Sequence, residues 1–176
     1  EIASKDISEK ITDDGFVLLE NKENALPLDT DNDKEKNINV FGIGSVNTVY
    51  GGSGSGAGDE SNNVTLQQGL ENAGFSINSE LASFYEDNKA KKKEQDNFNL
   101  VGADYTLSEP TLSNDLLARA EDFSNVAIIT ITRAGGEGGD LPTDMSEYGG
   151  STENHYLELT KDEKELIDQI TSMDFK

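Results

Sequence analysis

Val126-Ala127-Ile128-Ile129-Thr130-Ile131-Thr132-Arg133-Ala134-Gly135-Gly136-Glu137-Gly138-Gly139-Asp140 is the stretch whose reading decides the fold. Its first half is a continuous β-branched run, the kind found in strands buried on both faces, and it reads as the central strand of a sheet. Its second half breaks into glycines, with one carboxylate between two glycine pairs. Ligands of open α/β sheets gather beyond the carboxyl ends of the strands, where Glu137 and Asp140 would then lie. The alternative is an ordinary strand-to-helix connection whose glycines only serve tight turns.

Upstream, Ser113 is a candidate N-cap for a helix carrying Leu116, Leu117 and Ala120, and Phe123 leads from it into the strand. Downstream lies a polar loop with Tyr148-Gly149-Gly150 and the only histidine, His155, for which a surface position is the default. Thr160-Lys161-Asp162-Glu163 then spells a capping box that opens a helix with Leu166, Ile167 and Ile170 on one face. The sequence given stops at Phe175-Lys176, where an alternating pattern would next require a strand.

Farther upstream, Ile38 to Ile43 reads as a second strand, with its loop on the same sheet edge as the loop after Ile131. Gly42-Ile43-Gly44-Ser45-Val46-Asn47 opens like a dinucleotide-binding turn, but Asn47 stands where the third glycine belongs. The glycine-serine run Gly51 to Gly58 follows in place of a helix, and no Gly-Lys-Ser/Thr is present. That run suits either a linker or bare backbone approaching a ligand. Thr65 caps a helix stopped by Gly74, Phe75-Ser76-Ile77 is a brief strand, and Ser79 caps another helix running into the lysines 89–93. At the start of the chain, Ile7, Ile11 and Leu18 have the spacing of an amphipathic helix ending near Asn21, and Ala25-Leu26-Pro27-Leu28 leaves it extended. Asp29, Asp31 and Asp33 alternate as in a calcium loop, but Lys34 and Val40 occupy the glycine and glutamate positions, which favours a solvated loop.

The chain has 176 residues, enough for one domain with a real core. Fourteen Lys and Arg against 35 Asp and Glu give a formal net charge of −21. Such a field repels phosphate backbones and anionic lipid, so no nucleic acid and no membrane contact by this domain are expected, and neutral ligands are favoured. The absence of cysteine removes disulfides and thiolate metal sites, and leaves the compartment open.

These pieces carry a resemblance. Gly15-Phe16-Val17-Leu18-Leu19-Glu20-Asn21 with Leu26-Pro27-Leu28, Val40-Phe41-Gly42-Ile43-Gly44-Ser45, Gly51 to Gly56, Thr132 to Pro142, and Leu159 to Ile167 succeed one another in the order seen in family 3 glycoside hydrolases. The chain resembles the α/β-sandwich domain of those β-glucosidase-like enzymes. The loop ending Ala57-Gly58-Asp59 departs from the family's usual form, and the Asn97 to Pro110 region has no counterpart in the resemblance.

The resemblance implies a larger glycosidase in which residues 1–176 form one α/β-sandwich domain. A TIM-barrel domain of the same polypeptide, absent here, would supply the aspartate nucleophile. The sandwich would lend Glu137 as general acid/base, with Ser55, Gly54, Arg133 and Asp140 as substrate-binding candidates and no cofactor or metal. The expected substrate is a β-linked saccharide. A single carboxylate loop cannot assemble a two-carboxyl site, so the isolated chain is expected to be inactive. Asp140 could be the working acid in place of Glu137, but orienting the loop by accepting backbone hydrogen bonds is the role favoured for it. The expected fold is α/β, a three-layer sandwich with a mostly parallel sheet flanked by helices, truncated at the C-terminal end. A non-catalytic carbohydrate-binding or interaction module of the same fold is the alternative, and a nucleotide-binding domain a third reading that rests on the defective glycine turn alone.

Overall fold

In the computed structural model the described residues are 2–33, 35–50, 61–89, 108–135, 140–148 and 150–176. Helix α1 spans Ile2–Gly15, and strand β1, Asn37–Phe41, follows a loop containing a cis Leu26–Pro27 peptide. Next come α2 at Leu66–Asn72, β2 at Ser76–Ile77, α3 at Ser79–Asp87 and α4 at Asn114–Phe123. Strand β3 is Ala127–Ile129 and helix α5 is Lys161–Thr171. The strands form a parallel sheet in the order β2-β1-β3, so each return crosses over through helix. No helix among the described residues is long and apolar enough to cross a membrane.

Alternation along β1 sorts the core into two layers. Ile38 and Val40 face Val126, Leu28, Leu70 and Phe75, on the α2 side. Phe41 faces the other way, into the larger cluster of Leu81 and Tyr85 from α3, Leu116, Leu117 and Ala120 from α4, and Leu166 and Ile170 from α5. Helices thus cover both faces of the sheet, which is the expected three-layer α/β sandwich.

Asn39 shares the larger face and is fully buried. Its amide nitrogen donates to the Ala120 and Ser124 carbonyls at 2.8 and 3.0 Å, which satisfies the end of α4. Its oxygen accepts from Asn78 Nδ2 at 2.8 Å, and the Asn78 oxygen in turn accepts from the Glu80 and Leu81 amides at the start of α3. One asparagine on the middle strand therefore sets the positions of two helix ends.

Local signals placed most helix starts. Thr65 with Gln68 and Thr160 with Glu163 form reciprocal capping boxes, and the Ser113 hydroxyl accepts from the Leu116 amide. The cap of α3 is Asn78 rather than Ser79, because its longer side chain reaches two amides at once. Three expectations are corrected. The first helix ends at Gly15 rather than Asn21, with Ile7 and Ile11 left exposed. The middle of the described sheet is β1, not the 126–131 strand. That strand is short and only half-buried; β1 pairs with one of its edges, and among the described residues the other meets only the Lys176 main chain, through Asn125 and Ala127. Of the lysine run 89–93, only Lys89 is described, paired with Glu86 at 3.7 Å.

Candidate active site

Because β1 and β3 are parallel neighbours, with Phe41 opposite Ile129, their following loops leave the same edge of the sheet. The two exits are in intimate contact. Thr130 donates its amide to the Phe41 carbonyl at 2.9 Å, and its hydroxyl lies 2.8 and 3.1 Å from the Phe41 and Gly42 carbonyls. Gly42 has φ +93°, and a Cβ there would lie 2.2 Å from the Thr130 carbonyl oxygen. At Gly44 a Cβ would lie 2.8 Å from Thr132 Cγ2. The glycines that imitate a dinucleotide turn thus serve the approach of one strand end to another.

Arg133 stands where the chain turns from strand to loop. Nε donates to the Tyr156 carbonyl at 2.8 Å, Nη1 to the Thr132 carbonyl at 2.9 Å, and Nη2 to the Glu158 carbonyl at 2.9 Å. The remaining two N–H groups form a bidentate pair with Glu163 at 2.6 and 2.7 Å. A guanidinium has five N–H donors, and all five are engaged within the chain. Burial works against ionisation of Glu163, but the Arg133 hydrogen bonds and the Thr160 amide, with the Arg133 charge, outweigh it and hold the carboxyl below its ordinary range. The same carboxylate closes the α5 capping box, so the end of β3 is tied to the start of α5.

Tyr156 completes the attachment. Its hydroxyl accepts from the Ala134 amide at 2.7 Å, its own amide donates to the Pro142 carbonyl at 3.0 Å, and the Arg133 guanidinium carbon lies 5.7 Å from the ring centroid. The side chain is 1% exposed and packs with Met145, Leu141 and Tyr148.

Of the residues singled out in the sequence, Glu137, Gly54 and Ser55 lie outside the described residues. Asp140 is exposed at the far side of the loop and accepts no hydrogen bond from another described residue. His155 accepts the Leu157 amide on Nδ1 at 3.1 Å, a local loop contact. Asp29 accepts the Asp31 amide at 2.9 Å, as in an Asx turn, and no group of His, Cys, Asp or Glu among the described residues could hold a metal.

Glu109 carried no signal in the sequence, yet it sits on this edge. Its carboxylate accepts the Ile43 amide at 3.0 and 3.2 Å just beyond β1, and it borders a cavity of about 460 Å³ with Asp162, Glu165 and Asp168. Burial raises its pKa to about 7; the Ile43 amide and the nearby Tyr85 hydroxyl oppose the shift, and Glu163 and Asp162 add to it. Burial also pushes the Tyr85 phenol up, and its hydroxyl has no hydrogen bond of normal geometry.

Residues 16–174 match the family model described as "Glycosyl hydrolase family 3 C-terminal domain". The chain belongs to this family. It is 31% identical over 172 residues to beta-glucosidase A of Butyrivibrio fibrisolvens, covering 89% of this chain and 20% of that protein. Beta-glucosidase 3B of Thermotoga neapolitana, solved in complex with glycerol, superposes with a TM-score of 0.70 at 28% identity, over 95% of this chain and 21% of that one. A beta-glucosidase from Paenibacillus barengoltzii gives 0.61 at 26% identity, over 90% and 16%. The chain thus spans about a fifth of the length of the curated relative it matches. The family assignment agrees with the three-layer fold and with a glycoside hydrolase fragment.

Proposed function

We propose that this chain is the accessory catalytic domain of a retaining β-glycosidase of the β-glucosidase type. In this reading it supplies Glu137 as general acid/base to a TIM-barrel domain carrying the nucleophile. The observation that carries the reading is the shared sheet edge: the loop bearing Glu137 leaves β3 beside the loop that leaves β1. Two carboxyl groups about 5 to 5.5 Å apart are what retention requires, and they can come from different domains that meet at a cleft. Beside a bound sugar, desolvation would raise the Glu137 carboxyl towards the range useful for proton donation near neutrality. Gly54 and Ser55, on the loop after β1, are assigned to the sugar, and Asp140 to orienting the 134–142 loop. Arg133 is assigned to holding that loop in place of a direct sugar contact, because its donors are already engaged.

The test is Glu137→Ala in the barrel-containing enzyme. Hydrolysis of substrates with poor leaving groups should fall about 10² to 10⁴-fold, since those need protonation as the bond breaks. Dinitrophenyl glycosides should still glycosylate the nucleophile and then stall, and azide, which needs no base, should restore turnover and give a glycosyl azide of retained configuration. An unchanged rate on poor leaving groups, or the same behaviour from Asp140→Ala alone, would overturn the assignment.

A further inference from the structure

We infer that Tyr156 is the positioning residue that aims the loop carrying the general acid/base, an inference that rests on the Glu137 reading above. Glycines stand at 135, 136, 138 and 139, around Glu137, and glycine restricts the backbone less than any other residue type. A proton donor, however, must be held to a fraction of an ångström. Tyr156 supplies a fixed frame from outside the segment. Each of its three hydrogen-bonding groups goes to a shoulder of the loop: the hydroxyl to the Ala134 amide, the carbonyl to Arg133 Nε and the amide to the Pro142 carbonyl. The first two hold the entry and the third holds the exit, so a single buried residue fixes the separation of both feet. Its ring is locked between the Arg133 guanidinium and the Met145 cluster. Tyr156 lies 22 residues beyond Ala134 in sequence, and the Arg133–Glu163 pair fastens the same assembly to α5.

Tyr156→Phe removes the bond to Ala134 and keeps the ring, the Pro142 bond and the Arg133 bond. In the barrel-containing enzyme, kcat/KM for poor-leaving-group aryl glycosides should drop about 10- to 100-fold, the scale of a small misplacement of a catalytic group. The drop on dinitrophenyl glucoside should stay under about two-fold, because bond breaking there needs no acid. Hydrogen exchange of the Ala134 amide should accelerate in the same variant while the α5 amides keep their protection. Should the Phe variant fail to fold, replacing residue 134 with lactic acid, an amide-to-ester change, deletes the same donor with Tyr156 intact and must give the same leaving-group signature.

Losses of equal size on both substrates, or none on either, overturn the positioning role. Run in parallel, Glu137→Ala separates the two claims. If it shows leaving-group dependence and Tyr156→Phe does not, the positioning role alone falls. If it shows none, the acid/base reading falls and takes this one with it.

Discussion

The domain holds two polar clusters that solve different problems. Around Asn39 the groups are neutral and enclosed in the core, and they fix where α3 and α4 sit on β1. Around Arg133 the groups are charged and lie beyond the end of β3, and they fix where a loop begins and ends. Amides can be enclosed because each lost hydration bond is replaced one for one and no charge is desolvated. A charge pair suits the sheet edge, where partial solvation lowers its desolvation cost and a bidentate fork supplies orientation. The lesson is that the neutral cluster positions helices within the core and the charged one anchors the chain where it leaves the sheet edge.

The comparison breaks first at Arg133. Arg133→Met strands the Glu163 carboxylate with the Thr160 amide alone, and unfolding by urea at pH 7 should register a loss of about 3 kcal/mol, the lower end for a broken buried pair. The loss must also depend on pH. Glu163 is held below its ordinary value of 4.5 in the folded chain, so its stabilisation is complete above that value and disappears as pH falls through the folded one. The difference between wild type and variant should therefore narrow in acid. Asn39→Ala should cost about 2 to 3 kcal/mol, because the Ala120 and Ser124 carbonyls and the Asn78 amide lose their partner together. That cost should stay flat as pH falls from 7 through 4.5 and below, where the cost of Arg133→Met narrows, and an equal narrowing for Asn39→Ala would erase the distinction drawn here.

The smallest effect sharpens the picture of the sheet edge. Glu109 binds a proton more tightly folded, at about 7, than unfolded, near 4.5, so stability is full below 4.5 and is lost as pH rises through 7. Glu109→Gln, which can still accept the Ile43 amide, should gain about 1 to 2 kcal/mol at pH 8 after allowance for screening of a half-buried group, and nothing at pH 4. Denaturation midpoints at the two pH values decide it. No gain at pH 8 would mean that Glu109 is solvated well enough to ionise without penalty.

Much of this was legible in the sequence, and the boundary has a physical cause. Caps and periods are local: Thr160 with Glu163 lies within one helical turn, and so could be read without knowing the fold. That β1 and β3 share a sheet with their loops on one edge followed from two apolar runs that each precede glycines, whereas their register came only with the structure. What stayed hidden was long-range pairing. Glu163 reads as half of a capping box, and nothing near it announces a guanidinium 30 positions upstream. Tyr156 sits in a polar loop, where an aromatic residue looks incidental, yet it is among the most buried side chains described. The 126–131 run looked doubly buried because β-branched composition reports strand preference and not the number of neighbours a strand has. Glu109 was silent because its raised pKa comes first from burial by residues remote in sequence, with the α5 acids adding to the shift and the Ile43 amide opposing it.

The attachment of both loop feet to one tyrosine has a consequence for how such a domain can change over generations. Between Ala134 and Pro142 lie seven residues whose two ends are fixed independently of what joins them. Doubling the length of a connection with fixed ends costs only about 0.6 kcal/mol in closure entropy. The segment therefore behaves as a cassette. A change in its length can leave β3, α5 and the core between them in place, with little cost to folding.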